Sequence, residues 1–225
     1  MFRLEAAGKT YSRAEETISA LCPATFEIAA GEFVAIVGPS GSGKSTLLTL
    51  LGGMLAPSEG KVWFDGQSLY DLSPAKRAEL RRLRMGFVFQ SFNLVPYLTA
   101  RENVEVPLLL RGESASVQRE RAGELLELVG LSDRAGHKPS ELSTSQQQRV
   151  ALARTLANDP QVILADEPTG NLDPGMRNQV LSFLDKFHRA GKTIVMVTHD
   201  PQAAGRATRR LEMLAGSVAA SRRVA

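Results

Sequence analysis

The stretch Gly38-Pro39-Ser40-Gly41-Ser42-Gly43-Lys44-Ser45-Thr46 satisfies G-x-x-x-x-G-K-[ST] at every fixed position. It lies between the apolar runs Phe33-Val34-Ala35-Ile36-Val37 and Leu47-Leu48-Thr49-Leu50-Leu51. Strand, glycine loop and helix in that order turn the string into a phosphate-binding turn. Its glycines let successive backbone N–H groups face inward around a β-phosphate. Lys44 sets an ammonium against the β and γ oxygens, and the Ser45 hydroxyl is placed to ligate Mg²⁺. The helix that starts near Lys44 adds the positive end of its dipole. The nucleotide-binding set read from the loop is therefore Gly38, Ser40, Gly41, Ser42, Gly43, Lys44, Ser45 and Thr46.

With 225 residues, 43% of them hydrophobic, the chain is long enough for one domain with a sizeable core. The apolar stretch over residues 47–56 is about half of the ~20 residues that a bilayer crossing needs. Met1-Phe2-Arg3-Leu4-Glu5 lacks the regions of a signal peptide. A single cysteine, Cys22, can form no intrachain disulfide, which suits a cytosolic location. Net charge is only +3, yet basic residues cluster at Lys76, Arg77, Arg81, Arg82 and Arg84, and at Arg206, Arg209, Arg210, Arg222 and Arg223. No aromatic residues are interleaved with them. The clusters read as solvated faces, and no nucleic-acid partner is expected.

Strand-like segments occur at residues 24–28, 32–37, 61–64, 85–89, 161–165, 193–198 and 210–214, with helical stretches at 117–129, 146–157 and 176–189. Their alternation predicts an α/β fold, a P-loop NTPase core on a mainly parallel sheet, with ligands at the carboxyl ends of its strands. The early strands, joined by Gly31, Gly60 and Asp65-Gly66, predict an antiparallel β subdomain. Residues 91–158 predict an inserted α-helical subdomain, so that core and β subdomain take residues 1–90 and 159–225 of a single domain.

Val162-Ile163-Leu164-Ala165 runs into Asp166-Glu167, an apolar strand ending in two acids. Burial accounts for the apolar run and not for the acids. Beside a phosphate loop, Asp166 suits Mg²⁺, and Glu167 suits a general base that orients and deprotonates water. His199, after the apolar run of residues 193–198, is a candidate sensor of the γ-phosphate held by Glu167. Gln90, after Phe87-Val88-Phe89, is within reach of Mg²⁺ or the attacking water. Leu142-Ser143-Thr144-Ser145-Gln146 opens a helix with a capping box, Ser143 to Gln146, and a capped helix start is also an anion site.

Together these motifs resemble the ATP-binding-cassette family over essentially the whole chain: phosphate loop, Gln90, signature at Leu142-Ser143-Thr144-Ser145-Gln146, Asp166-Glu167, the Asn171-Leu172-Asp173 dimer loop and His199, in family order. Leu51-Gly52-Gly53, Gly86-Phe87-Val88-Phe89-Gln90 and Ala165-Asp166-Glu167-Pro168-Thr169-Gly170-Asn171-Leu172-Asp173 are similar to its lipoprotein-releasing and macrolide-export branch, the LolD-like and MacB-like ATPases. The resemblance implies an ATP- and Mg²⁺-dependent ATPase subunit that dimerises head to tail, as a homodimer or with a related chain. In that dimer Ser143, Ser145, Gln146 and Asp173 approach the nucleotide of the second subunit, and Tyr11 stacks on adenine. It also implies a peripheral place on the cytoplasmic face of the cell membrane. There the chain powers a separate permease-type subunit of an export, lipoprotein-release or mechanotransmission system, which docks near Phe92, Leu94, Val95, Pro96, Tyr97 and Leu98. One departure stands out: Thr144 and Ser145 occupy positions where the family has glycine. That departure motivates an alternative, an ATP-binding regulatory module with weak hydrolysis that pairs with a complete partner ATPase. A GTPase is disfavoured because no N-K-x-D motif occurs.

Overall fold

A computed structural model describes residues 1–13, 16–170 and 172–223. In chain order, β1 (Phe2–Arg13) and β2 (Glu16–Ile28) are followed by β3 (Phe33–Val37), α1 (Lys44–Leu51), β4 (Glu59–Phe64), β5 (Gln67–Ser68), α2 (Pro74–Arg84) and β6 (Met85–Val88). Three helices come next, α3 (Ala100–Arg111), α4 (Ala115–Leu128) and α5 (Thr144–Leu156). The chain then returns through β7 (Val162–Asp166), α6 (Pro174–Arg189), β8 (Thr193–Thr198), α7 (Pro201–Ala204), β9 (Arg209–Leu214) and β10 (Ser217–Arg223).

Two sheets result. The larger has the order β10-β9-β3-β8-β7-β6, with every pair parallel except β10 on β9. The smaller, β2-β1-β4-β5, is antiparallel throughout. Both faces of the parallel sheet are covered, so its strands are apolar at nearly every position. Alternation still sorts them. Phe33, Ala35, Ile163, Ala165, Ile194 and Met196 face a core built with α3, α4, α5 and α6, through Val104, Leu126, Val150 and Val180. Val34, Ile36, Val162, Leu164, Val195 and Val197 face a second core that takes in Leu47 and Leu50 of α1 and Phe2, Leu4 and Phe64 of the antiparallel sheet. The layers are therefore helices, parallel sheet, then α1 with the antiparallel sheet.

Residues 32–37 do not belong with the early antiparallel strands. Gly31 (φ 76°) carries the chain from one sheet to the other, its N–H donating to Thr193 Oγ1 at 2.9 Å, and β3 lands between β8 and β9. β1, α2 and α3 are the longest elements without a clear sequence signal, each for a physical reason. β1 alternates only at Phe2 and Leu4 before Ala6 (φ 46°) and a register shift break the pattern. α2 has no buried residue, hence no apolar stripe, and α3 carries Pro107 inside it.

Arginines of both basic clusters also make contacts within the chain. Arg84 pairs with Asp65 at 2.7 Å, Arg206 with Asp185 at 2.7 Å and Arg209 with Glu32 at 3.3 Å, while Arg81 donates to Gly53 O at 2.8 Å. The loop between β6 and α3 is pinned from two sides. Asn103, fully buried, accepts from Val95 N (2.8 Å) and donates to the carbonyls of Val95, Leu98 and Thr99. Arg154 of α5 donates to the carbonyls of Phe92 (2.6 Å) and Asn93 (2.5 Å). Phe92 and Asn93 both have left-handed backbone (φ 57° and 50°), a conformation those bonds hold in place.

Candidate functional site

Four neighbouring parallel strands, β3, β8, β7 and β6, end on one edge, and each hands a sequence-predicted group to it. β3 leads into the phosphate loop, β7 ends at Asp166 and Glu167, β8 is followed by His199 and β6 by Gln90. The register sets Val37 beside Thr198 and Asp166 beside Val197, which brings the groups level.

The loop needs its glycines for space as well as for torsion. A Cβ on Gly38 would lie 2.1 Å from Met213 O, and one on Gly43 (φ 97°) 2.0 Å from Ala20 O. Lys44, only 7% exposed, donates from Nζ to Gly38 O (2.9 Å) and Pro39 O (2.8 Å), so the side chain closes the loop from inside. Ser42 is buried, its hydroxyl without a partner. Ser40 and Gly41 are exposed at the tip, and Thr46 sits in the first turn of α1. The result is an anion cradle of backbone N–H groups with one cation.

Ser45 Oγ donates to Asp166 Oδ1 at 3.1 Å. Burial raises the Asp166 pKa above the usual aspartate range, and the neighbouring Glu167 charge adds to this; the Ser45 bond and the Lys44 charge oppose it. A hydroxyl and a carboxylate this close, the latter short of compensating charge, fit a hard divalent cation. Among the described residues no group of three or more His, Cys, Asp or Glu side chains could hold a metal alone, so the remaining ligands would come from nucleotide and water.

Glu167 adopts left-handed backbone (φ 45°), and its N–H donates to Val197 O at 2.9 Å. Its side chain is 14% exposed and receives His199 Nδ1 on Oε1 at 2.8 Å. A carboxylate only accepts, so Nδ1 is the protonated nitrogen and Nε2 faces out of the pair. The Gln90 amide nitrogen reaches Gly170, where an added Cβ would stand 3.2 Å from it.

The other predicted residues lie away from this edge or have local roles. Ser143 caps α5, accepting from Gln146 N while Gln146 Oε1 accepts from Ser143 N, and the Ser145 hydroxyl turns onto Ser143 Oγ at 3.0 Å. Thr144 is exposed. No hydrogen bond among the described residues joins this helix start to the phosphate loop of the same chain. Asp173 caps α6 through Gly175 N and Met176 N, Leu172 packs in the core, and Asn171 lies outside the described residues. Tyr11 is half-exposed on β1, opposite Ile18, with Lys9 Nζ 5.4 Å from its ring centroid. The same hairpin presses Ala20 O against Gly43 and so runs alongside the loop. Arg154 was invisible in the sequence, because no spacing announces a side chain that works on carbonyls as distant as those of Phe92 and Asn93.

The raised pKa of Asp166 has a stability consequence. Below its unfolded-state pKa the carboxyl is protonated in both states. As pH rises, the unfolded chain loses its proton first, so folding stability falls across the window up to the native pKa and stays lowered above it. Asp166→Asn should therefore raise the thermal midpoint of the nucleotide-free protein by about 1–3 °C at pH 7. The difference should shrink toward zero near pH 4. An equal or larger gap at pH 4, read by melting curves across the range, would contradict the assignment.

The ABC transporter family model matches residues 21–170. An uncharacterized ABC transporter ATP-binding protein of Thermotoga maritima is 52% identical over 192 residues, 85% of this chain and 82% of that protein. The macrolide export ATP-binding/permease protein MacB 1/2 of Paracoccus denitrificans is 47% identical over 223 residues. That alignment covers 99% of this chain and 33% of the relative, so the chain spans about a third of the length of its MacB relatives. The solved dimeric structure of MJ0796 bound to ADP and Pi, in a post-hydrolysis state, superimposes with a TM-score of 0.94 at 44% identity over 100% of this chain and 99% of that one. The ABC ATP-binding protein MJ0796 is from Methanocaldococcus jannaschii. This chain belongs to the ABC transporter family and is one of its ATP-binding cassette ATPases.

Proposed function

We propose that the chain works as a head-to-tail dimer, each phosphate loop facing the Ser143 helix start of the other copy, and that hydrolysis drives a membrane subunit. The observation that carries this reading is the edge where Ser45–Asp166 and His199–Glu167 stand side by side beyond the phosphate loop. The relatives support the two partners: MJ0796 forms a dimer, and MacB is named as a fused ATP-binding/permease protein. Among the described residues no helix is long and apolar enough to cross a membrane, so a separate or fused permease supplies the span. The peripheral site on the cytoplasmic face follows from the same reading.

In the reaction Lys44 exchanges its loop carbonyls for β- and γ-phosphate oxygens, and the loop N–H groups hold the chain of phosphates in line. Ser45, Asp166 and Gln90 would hold Mg²⁺, which neutralises phosphate charge when bound. Glu167, held rigid by its backbone bond and by His199, takes the proton of the water that attacks the γ-phosphorus, and ADP and phosphate leave. With Nδ1–H committed to Glu167, His199 donates to a phosphate oxygen from Nε2 only as imidazolium. Tyr11 offers its ring to the base. In the second copy Ser145 turns inward on Ser143, so Thr144 is the side chain that meets the opposing nucleotide.

The membrane subunit docks on the loop that Asn103 and Arg154 fix. Tyr97 is 82% exposed there, and Val95 39%. Leu98 is half-buried and serves the loop itself. Beside the loop a cavity of about 390 Å³, floored by Met54, Phe87, Phe89 and Leu110, offers an apolar seat.

Glu167→Gln should lower ATP turnover by roughly 10²–10⁴-fold and leave nucleotide binding, trapping an ATP-bound dimer visible by light scattering. Near-normal turnover would remove Glu167 from the role. For docking, Val95→Asp with Tyr97→Asp should abolish co-purification with the membrane protein that the wild-type chain captures from detergent extracts, with turnover of the isolated chain retained. Undiminished capture would place the docking surface elsewhere.

A further inference from the structure

Gln148 lies in the second turn of α5 and is completely buried. One turn further along the helix stand Ala151 and Leu152, both buried and apolar, and a methionine would fill its space without a polar group to satisfy. The amide makes one bond, Nε2 to Pro168 O at 2.9 Å, and its Oε1 is buried with no partner. A buried amide with one bond made and one unmade calls for an explanation beyond packing.

Pro168 follows Glu167, whose left-handed backbone is held by two other bonds, Glu167 N to Val197 O and Gly170 N to Glu167 O. The first ties the turn to β8 and the second closes the turn on itself. The Gln148 bond is the one of these three that leaves the sheet and reaches the helical layer. Five residues toward the helix N-terminus stands Ser143, the cap of the same helix, one and a half turns or about 7.5 Å away along a rigid rod. One helix thus carries the start that faces the opposing ATP and the side chain that grips the turn of this chain's own catalytic carboxylate. Pro168 has no N–H, so its carbonyl is the one backbone hydrogen-bonding group it offers, and Gln148 Nε2 takes it. The unsatisfied Oε1 leaves the amide a second arrangement to adopt when the turn shifts.

We propose that Gln148 is a positioning residue that couples the two ATP sites of the dimer: engagement of the Ser143 helix start by one nucleotide sets the Glu167 turn that acts on the other. The proposal rests on the head-to-tail reading given above. Its test uses mixed dimers, co-expressed with two affinity tags, in which one chain carries Glu167→Gln. The one working site then combines the other chain's Glu167 with the helix start of the Glu167→Gln chain.

On the chain that supplies Glu167, Ser143→Ala disturbs only the helix start that faces the inactive site, so a loss of turnover at the working site must be transmitted through that chain. Coupling predicts that Ser143→Ala and Gln148→Met on this chain each lower turnover several-fold, that the two together lower it no further than either alone, and that the concentration of ATP giving half-maximal rate changes little. No loss from Ser143→Ala, or losses that multiply, would reduce Gln148 to local support of Glu167, and no loss from Gln148→Met would remove it altogether; each result overturns the proposal. Should the methionine variant melt below the assay temperature, Gln148→Glu, which keeps the shape and replaces the donor with an acceptor, takes its place. The Glu167→Gln homodimer is the control: if ATP fails to trap it, the head-to-tail reading fails visibly and the coupling falls with it.

Discussion

Gly38 and Gly43 press the phosphate loop flat against two carbonyls, Met213 O from the parallel sheet and Ala20 O from the antiparallel one. The loop is thus the place where the two sheets meet as well as the place where phosphate binds. Gly216 N, donating to Ser42 O at 3.1 Å, adds a third backbone contact from the β9–β10 turn. A methyl group at either glycine would push a sheet away, and at Gly43 (φ 97°) the torsion requires glycine as well. The carboxylates, His199 and Gln90 can be level with the loop because the strands that bear them are registered against β3 beneath it.

That edge concentrates polar groups in conflict with folding. Burial and a neighbouring like charge both work against ionised Asp166, Glu167 holds a backbone conformation that few non-glycine residues adopt, and Ser42 buries a hydroxyl with no partner. The apolar strands below offset these costs, and a ligand bringing a cation and phosphate oxygens would answer two of them, the charge of Asp166 and the Ser42 hydroxyl. The same logic extends to Gln148, whose unmet acceptor lies just behind the catalytic turn.

The phosphate loop, the acid pair after β7 and His199 after β8 were legible in the sequence because their chemistry follows directly from residue type and strand end. β8 was legible to the residue, since a parallel strand buried on both faces leaves a continuous apolar run. β1, α2 and α3 were not, for want of an alternation, a buried stripe and a proline-free interior. The partners of the clustered arginines, such as Asp65, Asp185 and Gly53 O, were not legible because they are distant in sequence. Asp173 has a local role besides the motif: its Oδ1 accepts from Gly175 N and Met176 N at the start of α6.

In the head-to-tail dimer proposed above, the exposed tip of the phosphate loop and the start of α5 meet only between copies. With Cys22, the one native cysteine, replaced by serine, Ser40→Cys and Thr144→Cys on separately tagged chains place one thiol on each exposed surface. Mild oxidation should link the two chains when ATP is present on the Glu167→Gln background, and leave them apart without nucleotide. A link that forms equally without ATP, or none in its presence, would contradict the head-to-tail site.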